Sequence, residues 1–373
     1  MKRLLCIISS LNTGGAETFL MKMYRALPPE EYQLDFIVSE NDGFYTQEVL
    51  DRGGRIFFVP TRTKHPIAAF RQIGKIVKEN GYQHVLKLGD SPLQVVDLLA
   101  TKTGGAKHLV LRSCNAPTHL SAKRKAIDAF FRPILNRTAT VKIAPSDLAA
   151  AYTFGQTAYD RGEVTLLNNG VDLNVFRFDP EARQAIRAEF GLEDKLVVGH
   201  IGRFNQQKNH MFLLDIFNEI RKRNENAVLL LVGKGELEAD IRRKIDCLGI
   251  ADKVIFTGVR SDVPALLSAM DVFVFPSFFE GMPNTVIEAQ ATGLPCVIAD
   301  TITKTADITG LVEYQSLKTS SEQWANRVLA KATTERENTT QAFIDHGYNI
   351  ESVAKIFVTL CFGQQTNGEY YET

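Results

Sequence analysis

Two carboxylates separated by seven residues, Glu280 and Glu288, are candidates to accept hydrogen bonds from a ligand. They lie between two short apolar runs, 272–275 and 296–299, which are typical of strands that helices cover on both faces. Glu280 is predicted in the loop after the first strand, and Glu288 in the first turn and a half of a short helix. Ligands bind at the carboxyl ends of strands in open α/β sheets, so this segment predicts an active site.

The start of that short helix offers unpaired backbone N–H groups and the positive end of a dipole, which suit a phosphate oxygen. Asn284 is predicted to cap the helix, and Gly293 with Pro295 to end it after about two and a half turns. Two carboxylates beside a phosphate would repel it, so they are expected to accept hydrogen bonds from hydroxyl groups instead. A phosphate joined to polyols describes a sugar nucleotide.

A second group of residues carries positive charge. Arg203 and Lys208 flank a turn that follows the strand 197–201 and begins at Gly202. Two fixed cations can neutralise a diphosphate leaving group. The sequence has no Asp-x-Asp pair, and its seven His and five Cys show no ligand spacing. We therefore expect neither a metal nor another cofactor, and the positive charge has to come from these side chains and from helix ends.

These motifs, taken together, resemble the retaining glycosyltransferases of family 4, which have the GT-B fold, and particularly the capsular and exopolysaccharide members. The matching stretches are Gly202-Arg203 with Lys208, 233–236 (Gly-Lys-Gly-Glu), 256–260 (Phe-Thr-Gly-Val-Arg), and Glu280 with Glu288. The resemblance extends from 14–17 (Gly-Gly-Ala-Glu) through 168–172 to 303–317. It implies an α/β protein of two Rossmann-like domains, each with a doubly wound parallel sheet, facing a cleft.

The resemblance also implies roles for individual residues. Glu280 would bind hydroxyls of the donor sugar and support charge at the anomeric carbon, with Arg203 and Lys208 completing the catalytic group, while Glu288 would bind the ribose. Ordinary alternatives stay open, since exposed acids and tight glycine turns are common. The acceptor would attack the face that the nucleoside diphosphate leaves, and no protein nucleophile is expected. The predicted donor-binding residues are Gly14, Gly15, Gly202, Gly233, Val259, Arg260, Gly281, Met282, Pro283, Asn284, Thr285 and Glu288.

The acceptor side departs from the family pattern. Relatives in the capsular branch often carry His-Ser-His-Asn after the fifth strand, and the matching stretch here, 112–115, reads Arg-Ser-Cys-Asn. This difference is expected to change acceptor recognition more than catalysis. The candidate acceptor contacts are Asp90, Arg112, Asn115 and His119.

Alternating strand and helix patterns run through the whole chain, as in doubly wound parallel sheets. The break near 168–180 predicts an acceptor-binding domain at 1–170 and a donor-binding domain at 171–349, and by resemblance a last helix within 350–373 packs back on the first. The predicted strands are 4–9, 34–38, 55–59, 84–88, 108–111, 141–144, 164–167, 197–201, 228–232, 254–257, 272–275 and 296–298.

Composition limits the partners and the compartment. The 373 residues carry 43 basic and 43 acidic side chains, so no overall field attracts nucleic acid. Scattered cysteines indicate reduced thiols and a cytoplasmic protein. Residues 1–11 are interpreted as the first strand rather than a signal peptide, and no apolar run approaches the roughly 20 residues of a membrane span.

A basic cluster, Lys123, Arg124 and Lys125, precedes Phe130 and Phe131 at helical spacing. Such a helix could lie on the anionic inner face of a membrane, or it could be an ordinary helix with a solvated basic face. Membrane contact would fit a lipid-linked acceptor.

The pattern as a whole predicts transfer of a hexose from a nucleoside-diphosphate sugar to a growing, lipid-linked bacterial surface polysaccharide. Two alternatives stay open: a nucleotide-sugar epimerase of GT-B architecture, and a catalytically silent scaffold of glycan assembly. A nicotinamide dehydrogenase is disfavoured, because no Gly-x-Gly-x-x-Gly follows any predicted strand.

Overall fold

The computed structural model describes residues 1–41, 43–114 and 120–363. These residues form two compact units. Residues 1–170 and the described residues from 347 to 363 make up the first unit, and Val171–His346 the second. The sequence analysis drew the corresponding boundaries after residues 170 and 349.

The first unit is built on a parallel sheet of seven strands. Apolar residues fill its central strands, which is why both faces need helices to cover them. The strands are β1 Lys2–Ile7, β2 Tyr32–Val38, β3 Ile56–Phe58, β4 His84–Gly89, β5 His108–Ser113, β6 Val141–Ala144 and β7 Thr165–Leu166. Their order across the sheet is β3-β2-β1-β4-β5-β6-β7, a doubly wound topology.

Helices separate the strands of the first unit along the chain. Serine caps begin two of them, with the Ser121 and Ser146 hydroxyls accepting hydrogen bonds from backbone N–H groups of the first turn. The helices are α1 Gly15–Ala26, α2 Thr46–Asp51, α3 Pro66–Asn80, α4 Val95–Thr103, α5 Ala122–Thr138, α6 Asp147–Phe154 and α7 Gln156–Asp160.

The second unit has a parallel sheet of six strands. They are β8 Leu196–Ile201, β9 Ala227–Val232, β10 Val254–Gly258, β11 Val272–Phe275, β12 Cys296–Ala299 and β13 Val312–Gln315. Their order is β10-β9-β8-β11-β12-β13, so the two strands that precede the predicted site, β8 and β11, are neighbours. The sequence analysis missed β13, because this edge strand is only partly buried and its Val-Glu-Tyr-Gln sequence lacks an apolar run.

Seven helices follow in the second unit, and one more returns to the first. Those of the second unit are α8 Pro180–Phe190, α9 His210–Arg223, α10 Glu238–Leu248, α11 Val263–Ala269, α12 Asn284–Ala291, α13 Ser321–Lys331 and α14 Thr340–Asp345. The last helix, α15 Ile350–Phe362, packs on α1 in the first unit, where the rings of Phe357 and Phe19 meet edge to face at 6.0 Å. None of the helices in the described residues is long and apolar enough to cross a bilayer.

Two histidines lie in the core of the second unit. The His200 and His210 rings are 4.7 Å apart and almost fully buried. His200 Nδ1 is 2.9 Å from the Val274 carbonyl, whereas neither ring nitrogen of His210 has a hydrogen-bond partner within the described residues. Burial lowers the pKa of His210 to about 4 and that of His200 well below its ordinary value. Both imidazoles are therefore neutral in the folded protein at neutral pH.

Gly199 in the middle of β8 is required by packing. A Cβ atom at this position would overlap the thioether of Met270, which precedes β11. We expect Gly199→Ala to lower the free energy of unfolding of the second unit by about 2 kcal/mol, because the core cannot absorb the extra methyl group. Urea unfolding followed by fluorescence of Trp324, the single tryptophan, measures this. The cost should shrink when Gly199→Ala is combined with Met270→Ala; an equal cost in both backgrounds would contradict the packing explanation.

The buried His210 predicts acid sensitivity of the second unit. Its folded pKa of about 4 lies below the ordinary value of 6.5, so the unfolded chain binds the proton more readily. The contribution to stability is complete above pH 6.5 and is lost as the pH falls towards 4, by about 3 kcal/mol for His210. His210→Phe should flatten this slope in urea titrations read at Trp324, whereas His65→Ala, an exposed histidine in the first unit, should not. An unchanged slope in His210→Phe would refute this account.

Candidate functional site

Glycine turns converge where β8, β9 and β10 end. The Gly202 N–H donates to the Val232 carbonyl at 3.0 Å, and the Gly233 N–H to the Gly258 carbonyl at 2.9 Å. Gly233 has a φ of 135°, and a Cβ atom there would overlap the Gly202 carbonyl. Only glycine allows this close approach. The carboxyl edge of the second sheet therefore brings together three turns that the sequence predicted as separate donor-binding motifs.

Lys208 and Glu280 form an ion pair at the same edge. Lys208 Nζ lies 2.7 Å from Glu280 Oε1, and the two side chains are only 17% and 10% exposed. The Phe275 ring centroid lies 4.5 Å from the same ammonium group. Because β8 pairs with β11, the loops that follow these strands are adjacent, and this adjacency brings the two residues together. Two of the three residues predicted to be catalytic are therefore in direct contact.

Side chains next to Lys208 connect the two loops. Gln207 Nε2 donates to the Phe279 carbonyl at 2.8 Å, and the Phe278 N–H donates to the Gln207 carbonyl at 2.9 Å. Asn209 Nδ2 donates to the Pro276 carbonyl at 3.1 Å. Sequence reasoning missed Gln207 and Asn209, because uncharged amides beside a lysine carry no chemical signal of their own.

Arg203, the third predicted catalytic residue, faces solvent. Its side chain is 72% exposed and its guanidinium lies 3.3 Å from Glu236, which is 57% exposed. Exposed ion pairs of this kind contribute little to stability, so the arginine can exchange this partner for another anion. Glu236 belongs to the Gly-Lys-Gly-Glu stretch at the end of β9, which the structure places beside the Gly202 turn.

The predicted cap of α12 is wrong by one residue. Pro283 occupies the N-cap position with an extended backbone, and Asn284 is already the first helical residue, so its side chain does not cap the helix. Glu288 is the fifth residue of α12 and is 6% exposed. Gly281, Met282 and Thr285 around the helix start are half-buried.

The end of α12 agrees with the sequence analysis. Gly293 has a φ of 67°, and the Leu294 N–H donates back to the Ala289 carbonyl at 3.0 Å. This left-handed glycine ends the helix.

Arg260 has a structural role in the turn after β10. Its guanidinium pairs with Asp262 at 2.6 Å and Glu189 at 2.9 Å, and these hydrogen bonds, led by the one from Asp262, raise its pKa. The pairs tie the turn to α8. The neighbouring Val259 is half-buried. Binding of a nucleobase by backbone groups of this turn stays a prediction.

In the first unit, Gly14 and Gly15 begin α1. Gly14 is the N-cap residue and Gly15 the first helical residue. The Glu17 carboxylate folds over Gly14, where a Cβ atom would overlap it. Burial raises the pKa of Glu17, and the charges of Glu40 and Asp90 add to the effect. Glu17, to which the sequence analysis gave no role, thus lies over Gly14, one of the predicted donor-binding glycines.

The acceptor candidates differ in accessibility. Arg112 is 2% exposed, its Nη2 donates to Asn169 Oδ1 at 2.5 Å, and its guanidinium stacks on the Phe19 ring at 3.7 Å. This burial argues against direct contact between Arg112 and an acceptor. Asp90 is exposed immediately after β4. Asn115 and His119 lie outside the described residues.

The basic cluster lies in the first turn of α5. Lys123 and Lys125 are exposed, whereas Arg124 pairs with the buried Asp128 at 3.2 Å. Phe130 is 66% exposed on the same helix. Part of the cluster is thus structural, and the rest lies on a solvent-facing side that also carries an aromatic ring.

Two family models match the chain. The model described as Glycosyltransferase Family 4 matches residues 13–175, and the model described as Glycosyl transferases group 1 matches residues 195–331. The putative glycosyltransferase EpsF of Bacillus subtilis is 33% identical over 359 residues, which are 94% of each chain. A UDP-Gal:alpha-D-GlcNAc-diphosphoundecaprenol alpha-1,3-galactosyltransferase of Escherichia coli is 26% identical, over 77% of this chain and 76% of that protein.

Solved structures show the same fold. The crystal structure of Anabaena HepE in complex with UDP-glucose superposes with a TM-score of 0.72 at 21% identity and covers 97% of this chain and 98% of its own. Both parallel sheets and the matches along nearly the whole chain agree with the resemblance seen in the motifs. The chain belongs to glycosyltransferase family 4, with the GT-B fold, in the branch of exopolysaccharide biosynthesis.

Proposed function

We propose that this glycosyltransferase transfers a hexose from a nucleoside-diphosphate sugar to a growing, lipid-linked bacterial surface polysaccharide, with retention of configuration and without a metal ion. The observation that carries the proposal is the Lys208–Glu280 pair, held at the carboxyl edge of the second sheet ahead of α12. It joins a cation suited to phosphate and an acid suited to sugar hydroxyls in one place.

Donor binding would break this ion pair and give each of the two side chains a new partner. A diphosphate oxygen competes with Glu280 for the Lys208 ammonium, and the released carboxylate accepts hydrogen bonds from the sugar. Two similar proteins support a nucleotide-sugar donor, since one is a UDP-Gal galactosyltransferase and the other was crystallised with UDP-glucose. Glu288, buried in α12 behind this site, is proposed to bind the ribose.

The positive charge needed at the leaving group is proposed to come from the protein. Lys208 is fixed by its partner, Arg203 is tied only to an exposed glutamate, and the first N–H groups of α12 supply partial charge. As the bond between the sugar and the phosphate breaks, these groups stabilise the departing diphosphate. The acceptor hydroxyl attacks the sugar from the face that the diphosphate leaves, and an oxygen of the departing diphosphate takes the proton of that hydroxyl. The configuration at the anomeric carbon is therefore retained.

The acceptor is proposed to be presented at the inner face of the membrane. Lys123, Lys125 and Phe130 on α5 combine exposed cations with an exposed ring, as in helices that rest on anionic bilayers. The similar galactosyltransferase acts on a diphosphoundecaprenol-linked sugar, as its name states. All five cysteines are free thiols, which fits a cytoplasmic enzyme.

A thermal-shift panel of UDP-, GDP-, ADP- and dTDP-hexoses tests the donor. The preferred sugar nucleotide should stabilise the protein by about 2.7 kcal/mol at 100 times its dissociation constant, and EDTA should not change the shift. Glu280→Gln should keep the binding of the nucleoside diphosphate but lower transfer roughly 100-fold, because the charge that supports the reacting sugar is lost.

Glu322→Gln is the matched control for this substitution, since Glu322 also pairs with a cation, Arg223 at 2.8 Å, but lies on α13. It should leave both binding and transfer unchanged. Full activity of Glu280→Gln would refute the assignment, and conversion of the donor without acceptor would indicate the epimerase alternative.

Membrane contact is tested by co-sedimentation with vesicles. The unmodified protein should bind vesicles containing anionic lipid, and each exposed lysine should contribute about 1 kcal/mol. Lys123→Glu with Lys125→Glu should weaken this binding at least roughly 10-fold, whereas Lys75→Glu with Lys78→Glu, on α3 of the same unit, should have little effect. Equal losses in both pairs would show that only net charge matters.

A further inference from the structure

The Lys208–Glu280 pair joins two loops, and an ion pair alone fixes their geometry poorly. Both side chains are flexible, and both keep some contact with solvent. The loop 202–209 has internal bonds of its own: the Lys208 N–H donates to Asn205 Oδ1 at 3.2 Å, and the Phe204 N–H to the Lys234 carbonyl at 3.0 Å. The backbone of Lys208 is therefore held from its own side of the sheet, whereas its ammonium group contacts Glu280.

Glu280 depends more on the neighbouring loop. It is the last residue of the segment 276–280, whose carbonyl and amide groups bond outward to 207–209. Asn209 holds the Pro276 carbonyl at the start of this segment, and Thr301 Oγ1 donates to the Ser277 carbonyl at 3.1 Å. At the far end, the bond from Gln207 Nε2 to the Phe279 carbonyl is the one immediately before Glu280.

Gln207 makes two hydrogen bonds to the end of the segment 276–280, one through its backbone and one through its side chain. Its backbone carbonyl accepts from the Phe278 N–H, and its side-chain amide donates to the Phe279 carbonyl. The first bond survives any substitution of the side chain, and the second does not. The side chain therefore has a separable effect on the peptide group between Phe279 and Glu280.

We propose that Gln207 is a positioning residue for Glu280: its amide fixes the Phe279 carbonyl and so aims the Glu280 carboxylate at the donor sugar. This inference rests on the proposed role of Glu280 in binding sugar hydroxyls. It assigns Gln207 to recognition of the sugar and not of the diphosphate, because Lys208 keeps its own supports when the side-chain bond is lost.

The test measures dissociation constants for UDP and UDP-galactose by calorimetry, on the full chain; GDP and GDP-mannose are the pair to use if the panel prefers guanine. Gln207→Met keeps the size of the side chain but cannot donate. It should raise the dissociation constant of the sugar nucleotide roughly 5-fold or more, and that of the free diphosphate by less than about 2-fold. Gln206→Met is the matched control, an exposed residue of the same turn, and should change neither value.

A double-mutant cycle separates positioning from general support. In the Glu280→Gln background, Gln207→Met should add less than about 2-fold, because the group that it positions has lost its charge. Equal weakening of diphosphate and sugar nucleotide, no weakening of either, or a full additional loss in the double variant would each overturn the inference. If Gln207→Met unfolds, Gln207→Ala replaces it in the same cycle.

The cycle also distinguishes a failure of this inference from a failure of the proposed function. Glu280→Gln alone should weaken the sugar nucleotide relative to the free diphosphate. If it does not, the proposed role of Glu280 is wrong. If it does while Gln207→Met has no effect, the proposed function stands and only the positioning role is refuted.

Discussion

A single ion pair at the edge of the second sheet organises the candidate site. Lys208 and Glu280 are mostly shielded from water, so each charge depends on the other for compensation. The pair joins the two loops at one point, and hydrogen bonds from Gln207 and Asn209 join them at others. In the proposed donor site, a ligand would replace both partners at once: an anion for the lysine and a hydrogen-bond donor for the glutamate. A diphosphate linked to a sugar offers both, whereas phosphate alone or sugar alone would leave one partly buried charge without a partner.

Parallel pairing of β8 with β11 is the reason that residues 72 positions apart can meet in this way. The sequence revealed these elements because their strands are continuous apolar runs and their loops contain glycine, proline and charge. The edge strand β13 gave no such signal, since half-exposed strands need no apolar run. The Asn284 cap was misplaced by one residue because Pro283 and Asn284 are both good candidates to begin a helix, and only the backbone angles decide between them.

The sequence predicted where charged side chains lie better than it predicted which residues they pair with. Lys208 and Glu280 both lie at the predicted edge, but nothing in the sequence indicates that Lys208 pairs with Glu280 whereas Arg203 pairs with Glu236. Arg112 illustrates the same limit: it became an acceptor candidate because it lies in the stretch that matches the family's His-Ser-His-Asn, yet it stacks on Phe19 and bonds to Asn169 inside the first unit. No sequence feature pointed to Gln207. Its proposed role depends on a hydrogen bond to a backbone carbonyl 72 residues away, and a sequence does not show which backbone carbonyls accept side-chain hydrogen bonds.

The return of α15 to the first unit affects how the chain is made. Phe357 and the residues around it share a core cluster with α1, where Phe357 meets Phe19, and with strands of the first sheet, and they are synthesised only after the whole second unit. During translation the first unit therefore waits with an uncovered apolar surface, while the second unit, which is continuous in the chain, can complete its own core. We therefore expect the second unit to be able to complete its core before the first, which leaves the first unit exposed to aggregation until α15 has been synthesised.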